Sequence, residues 1–189
     1  MKAVKVLGED TIEENEIAGW VYKNLKPVLK MNRSLNTETV QKGIKQLEKL
    51  YYPLWAIKIL VIAERKPFPP KITPNMIFVD GISGYRGVFT SIPPTGEKNA
   101  QEASVLSPVL YEKEVKTKYV KDVQEKQINR KYVLKKPKYQ MEDIELLYLP
   151  IWKTKVETSF FSDTFYINGN TGESEDLLMK LAESKEWLI

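Results

Sequence analysis

The sequence predicts an α+β protein made of two related units, each a helix plus an antiparallel β-meander, joined by helical connections. Three observations carry this reading. Glu48-Lys49-Leu50-Tyr51-Tyr52-Pro53-Leu54-Trp55-Ala56-Ile57-Lys58 aligns with Glu145-Leu146-Leu147-Tyr148-Leu149-Pro150-Ile151-Trp152-Lys153-Thr154-Lys155, six of eleven positions being identical. Farther on, Phe78-Val79-Asp80-Gly81-Ile82-Ser83-Gly84 matches Tyr166-Ile167-Asn168-Gly169-Asn170-Thr171-Gly172 in the same order. Around each block, apolar spacing of three to four residues gives way to alternation, which marks a change from helix to strand.

The elements follow in order. Thr11 to Leu29 reads as a helix, with Ile17, Trp20, Val21, Leu25 and Val28 in a stripe and Pro27 ending or kinking it. Asn36 or Thr37 caps a second helix whose buried face is Val40, Ile44, Leu47 and Tyr51, closed by Pro53. Trp55, Ile57, Ile59 and Val61 alternate as a strand, Met76 to Val79 forms the next, Asp80-Gly81 begins a turn, and Arg86 to Thr90 adds a third strand. Ser107-Pro108 signals a helix carrying Tyr111, Val115, Tyr119 and Val123. The second unit repeats the plan: a helical turn around Met141 to Leu147, strands from Ile151 to Thr158 and Thr164 to Ile167, the Asn168-Gly169 turn, and a last helix capped by Ser174 with Leu177, Leu178, Leu181 and Ala182 as its apolar stripe. The offset between copies falls from 97 to 88. The first copy therefore holds nine extra residues, assigned to the proline-rich stretch Lys66-Pro67-Phe68-Pro69-Pro70-Lys71. The organisation expected is an N-terminal helical segment over 1–35, a first α+β unit over 36–98, a basic and partly helical connector over 99–138, and a second unit with a C-terminal helix over 139–189.

Composition narrows the chemistry. The 189 residues include no cysteine and no histidine. That excludes disulfides, cysteine or histidine metal ligands, cysteine nucleophiles and serine–histidine–aspartate triads. The first ten residues have no long apolar core, and the longest apolar run, Leu54 to Ala63, is interrupted by Lys58. No secretory signal and no membrane span are therefore expected, and a soluble, cytoplasmic protein is. The lysine- and glutamate-rich makeup suits a thermophile or an archaeal virus, although nine asparagines and six glutamines run against it.

Charge is unevenly spread. From Lys113 to Lys138 there are ten basic residues against three acidic, whereas from Tyr139 onward ten acids face four bases. Lys116, Lys118, Lys121, Lys126, Arg130, Lys131, Lys135, Lys136 and Lys138, interleaved with tyrosines, have the footprint of a phosphate-backbone binder. Nine of the ten cations in this stretch are lysine, and arginine is the better base reader, so any such binding is to backbone and salt-sensitive. The plainer reading is a solvated helix face.

Other clusters favour architecture over chemistry. Glu13, Glu14 and Glu16, then Glu142, Asp143 and Glu145, then Glu173, Glu175 and Asp176 could pair for glycoside hydrolysis or hold a hard cation, but acids in a first helical turn also offset the helix dipole. Gly81, Gly84 and Gly87 have the spacing of a phosphate cradle but are followed by strand-like Val88-Phe89 rather than a helix. Tyr51, Pro53, Trp55, Gly81 and Gly84 in one copy, with Tyr148, Pro150, Trp152, Gly169 and Gly172 in the other, are read as structural repeat positions that pack the junction of helix and strand.

The aromatic-proline-aromatic strand entry, and the strand Phe165-Tyr166-Ile167-Asn168-Gly169-Asn170-Thr171-Gly172-Glu173 with its terminal turn, resemble the PepSY family of small modules, in which a helix packs on an antiparallel hairpin. The first copy departs from that pattern at Ile82-Ser83 and has no acid after Gly84. The resemblance implies a non-catalytic binding or regulatory module and transfers no residue's role. The function expected is thus a non-enzymatic binding or adaptor protein acting through a protein partner or self-association. A nucleic-acid-associated protein using Lys113 to Lys138 is the alternative, and a carboxylate-based hydrolase the third reading. No catalytic residue, metal ligand or cofactor is nominated.

Overall fold

The computed structural model describes residues 1–91 and 93–189. It combines helices with a mixed β-sheet, an α+β architecture, and its chain forms two compact units that are each discontinuous in sequence. The first comprises Met1–Tyr52, Pro94–Leu106 and Tyr148–Lys180, and the second Pro53–Pro93, Ser107–Leu147 and Leu181–Ile189.

In the first unit, β1 (Lys2–Leu7) pairs antiparallel with β5 (Thr95–Ala100) from Lys2↔Ala100 to Leu7↔Thr95. It also meets β6 (Lys138–Glu157) in parallel at Val6↔Tyr148. The end of β6 forms a hairpin with β7 (Ser162–Asn168), from Ile151↔Asn168 to Glu157↔Ser162. Two helices cover these strands, α1 (Ile17–Asn24) and α3 (Thr37–Gly43), and the core between them joins Ile17, Val21, Leu25 and Val40 to Trp152, Val156 and Ile167.

The helix expected over Thr11 to Leu29 is shorter than its stripe suggests. A 3-10 turn at Glu14–Glu16 leads into α1, which ends at Leu25 in an extended conformation. Pro27 then opens the four-residue α2 (Pro27–Lys30), because proline excludes helical geometry from the residue before it and suits the first helical position. Val28 consequently leaves the stripe and is 77% exposed.

Asn36 does cap α3, its side chain accepting from the Thr39 amide at 2.9 Å. The helix expected to run on through Ile44, Leu47 and Tyr51 instead stops at Gly43, where a Cβ would lie 2.8 Å from the Glu157 carbonyl. From Ile44 the chain is β2 (Ile44–Arg65), and Pro53 lies inside that strand rather than closing a helix. The helical turn expected around Met141 to Leu147 is likewise strand, part of β6. Both stretches are rich in Glu, Lys and Leu, good helix formers whose weak propensity tertiary pairing overrides.

In the second unit the strand order is β4-β3-β2-β6. The later part of β2 pairs with β3 (Phe68–Asp80) from Leu54↔Asp80 to Arg65↔Phe68, with a bulge between Ala63 and Arg65, and β4 (Arg86–Val88) adds to β3. Trp55, Ile57, Ile59 and Val61 are all buried, as their alternation predicts. Over them lies α4, a helical rod over 112–131 in which π turns at Val115–Tyr119 and Gln124–Ile128 alternate with α turns. Each π turn holds an extra residue, and Val115, Tyr119, Val120, Val123 and Ile128 all reach the core. The C-terminal residues return to this unit: Trp187 meets Tyr85 edge-on with centroids 5.0 Å apart, and the Ile189 amide donates to the Tyr119 hydroxyl at 3.0 Å.

The last helix, α5 (Asp176–Ser184), buries none of its residues, so its leucine stripe is not a core face. Among the described residues no helix is long and apolar enough to cross a membrane.

Candidate functional site

The repeated sequence blocks make matching local geometry. In the second unit the Gly81 amide donates to the Pro53 carbonyl at 3.0 Å, and in the first the Gly169 amide donates to Pro150 at 2.8 Å. Asp80 accepts from the amides of Ile82 and Ser83, and Asn168 from those of Asn170 and Thr171. Gly84 and Gly172 both adopt positive φ, +78° and +73°. Asp80 and Asn168 are therefore turn residues, and the Gly81, Gly84, Gly87 spacing belongs to a turn and a strand rather than to a phosphate cradle. Trp55 and Trp152 are 8% and 9% exposed, and Tyr51 and Tyr148 7% and 5%, so little of their ring surface is left to stack on a ligand.

Four of the ten cations in the basic segment pair with acids along their own helix. Lys116 pairs with Glu112, Lys118 with Glu114 at 3.6 Å, Lys121 with Glu125 at 3.8 Å and Lys126 with Asp122 at 2.5 Å, all four residues apart. Lys135 and Lys138 both bind Glu64, and Lys136 donates to the carbonyls of Asn129 and Tyr132 at 3.0 Å. Arg130 and Lys131 are exposed. Lys118 and Lys121 line one concavity together with Thr117, Asp122, Glu125 and Ile189.

The acidic clusters are engaged locally. Glu16 accepts from the Glu13 amide at 2.9 Å, completing a capping box, and Glu142 accepts from Gln140 at 2.6 Å. Glu175 accepts from the Asn168 side chain at 2.6 Å, and burial pushes its carboxyl above the usual glutamate value despite that bond.

A concavity of about 500 Å³ opens in the first unit, lined among others by Lys49, Tyr51, Asn99, Gln101, Ser104 and Trp152. Its floor is ionic. Asp10, held at φ +54° with its side chain 2% exposed, receives the Lys49 ammonium at 2.6 Å. That ammonium also sits 4.8 Å from the centre of the Trp152 ring. The Tyr51 phenol is raised above its ordinary value by burial first, and then by the Asp10 charge and a hydrogen bond to that carboxylate. Asp10 is positioned from behind: its amide donates to the Asn170 side chain at 2.8 Å, and Asn170 in turn donates to the Leu7 carbonyl at 2.9 Å.

Sequence reasoning passed over Asp10 and Lys49. A signal was present, because Lys49 aligns with Leu146 inside an otherwise similar block. A charge at one copy of a repeated apolar position marks where the two copies diverge. Comparison with protein-family models, with curated proteins and with solved structures returns no match to this chain.

Proposed function

We propose that this chain is a non-enzymatic binding protein, built on a duplicated α+β unit, that takes an extended segment of a partner protein along β5. The observation that carries the reading is the placement of the cavity. β5 is the terminal strand of the order β2-β6-β1-β5, paired on one side with β1, and Asn99, Ala100 and Gln101 at its end line the concavity. An edge strand offers main-chain donors and acceptors to an added strand, and an adjoining pocket selects one of that strand's side chains. The half-polar wall of Lys49, Tyr51, Gln101 and Ser104 suits a polar or acidic side chain. Duplication is supported by the paired turns, and the PepSY resemblance implies binding rather than catalysis.

The nucleic-acid alternative draws less support, because most lysines of the basic segment already hold a carboxylate or a carbonyl. The carboxylate hydrolase draws less again, its acids being engaged in caps and turns.

A photo-crosslinking residue placed at Lys98 should trap a partner polypeptide that resists nuclease, while the same residue at Lys180 should not. Gln101→Trp, which fills the cavity from an exposed position, should abolish the trapping with the melting transition unchanged. Equal trapping at both positions, or trapping indifferent to Gln101→Trp, would sink the proposal.

A further inference from the structure

The second unit carries a different surface at the far end of its long hairpin. Asp80 follows its partner Leu54 by 26 residues, whereas Asn168 follows Ile151 by 17. The extra length extends the β2–β3 hairpin and places Phe68 and Ile72 on it, 69% and 58% exposed. Beside it runs the 132–137 loop; Lys135 within it and Lys138 at the start of β6 both bind Glu64 of the hairpin. Val133 and Leu134 in that loop are 88% and 101% exposed.

These side chains are held outward by a built loop. Tyr132 packs against the core, Pro137 is buried, and the Lys136 ammonium closes the turn by donating to the carbonyls of Asn129 and Tyr132. Residues 62–72 and 129–138 together contain eight cations and one acid, Glu64, and that acid is shared by two lysines.

Exposed aliphatic and aromatic groups carried on two segments rich in cations match one surface chemically: an anionic lipid bilayer, whose headgroups take the cations while the acyl boundary takes the apolar tips. A nucleic acid would use the charge but leave Val133 and Leu134 in water. We propose that this end of the second unit docks peripherally on anionic membranes, with Phe68, Val133 and Leu134 inserting and the surrounding lysines and arginines binding phosphate headgroups. The site is separate from the β5 edge and stands whether or not that reading holds.

The full chain should sediment with vesicles containing phosphatidylglycerol and stay in solution with vesicles of phosphatidylcholine alone. Replacing Lys66 and Lys71 by Gln should weaken this partitioning about thirtyfold, at roughly a factor of five per cation. Val133→Ser with Leu134→Ser should abolish sedimentation while leaving the fold intact, since both side chains are outside the core. The chain contains no cysteine, so Leu134→Cys gives a unique attachment point for an environment-sensitive dye. Its emission should shift to the blue on adding anionic vesicles, and the same dye on Lys30→Cys should not respond. Absence of sedimentation with anionic vesicles, an unshifted dye at position 134, or binding that survives the double serine variant would each overturn the proposal. Preferential, detergent-resistant capture by a duplex or an acidic polypeptide would overturn it as well.

Discussion

Trp55 and Trp152 each donate an indole N–H over 3.0 Å to a main-chain carbonyl, Leu110 for the first and Ile12 for the second. The correspondence goes further: the amides of Leu110 and Ile12 donate to the carbonyls of Gly81 and Gly169, at 2.9 and 3.0 Å. In each compact unit, then, one tryptophan and one turn glycine hold the same residue just ahead of a helical segment.

Trp55→Phe and Trp152→Phe keep most of the ring packing but leave a buried carbonyl without its donor. Each should cost about 1–3 kcal/mol in urea unfolding. Similar costs for the two are expected, and a silent result for either would separate its role from that of the other.

The glycines divide by geometry. Gly84→Ala forces an alanine to φ +78° with its Cβ 2.9 Å from the Trp187 carbonyl, and Gly172→Ala drives a methyl to within 2.2 Å of the Trp20 ring. Strain alone accounts for roughly 1–2 kcal/mol at each, and the ring clash should make Gly172→Ala the worse. Gly19 lies inside α1 with nothing within 4 Å of a Cβ, so Gly19→Ala should stabilise by about 0.5–1 kcal/mol. Thermal melts of the three variants check the ordering.

Arg86 and Asp122 form a 2.8 Å ion pair whose side chains are 5% and 16% exposed. Asp122→Ala would strand the guanidinium, which also donates to the carbonyls of Gly84 and Trp187. A loss of about 3–5 kcal/mol is expected, as for other broken buried pairs. Burial opposes the Asp122 charge, but bonds from Lys126 and Arg86 outweigh it and hold the carboxyl below its usual 3.8. Its contribution is present above that pH and lost as pH falls through the lower folded-state value.

Glu175 should show the opposite sign. Its carboxyl is raised above 4.5, chiefly by burial. The folded state therefore holds its proton more tightly, and the associated stability is present below pH 4.5 and lost as pH rises through the folded-state value. Glu175→Gln preserves an acceptor for Asn168 and should flatten that part of the profile while raising stability at neutral pH. Urea titrations across the acid range would read it, and an unchanged slope would contradict the assignment.

Where local chemistry decides, the structure was legible in the chain. The alternation of Trp55, Ile57, Ile59 and Val61 marked a half-buried strand, and Asp80-Gly81 and Asn168-Gly169 marked the turns. Residues 44–52 and 138–147 misled, because Val40, Ile44, Leu47 and Tyr51 fit a helical face as well as a strand, and only pairing partners distant in sequence decide between them. β5, Thr95–Ala100, carries almost no apolar signature and exists because β1 pairs with it along its whole length. The Asp10–Lys49 contact joins residues far apart in the chain, and no spacing rule connects them. The lysines of 113–138 were conspicuous in number, but the pairing of four of them with acids four residues away becomes plain only once 112–131 is a helix.

The core that receives Ile17, Val21 and Val40 is closed by Trp152, Val156 and Ile167. A nascent chain must therefore carry its first helices uncovered until Trp152, Val156 and Ile167 have left the ribosome. Such late closure gives a high contact order, which slows folding and lengthens the exposure of greasy surface. Synthesis rate and chaperone supply should accordingly govern the yield of native protein more than the stability of the finished fold does.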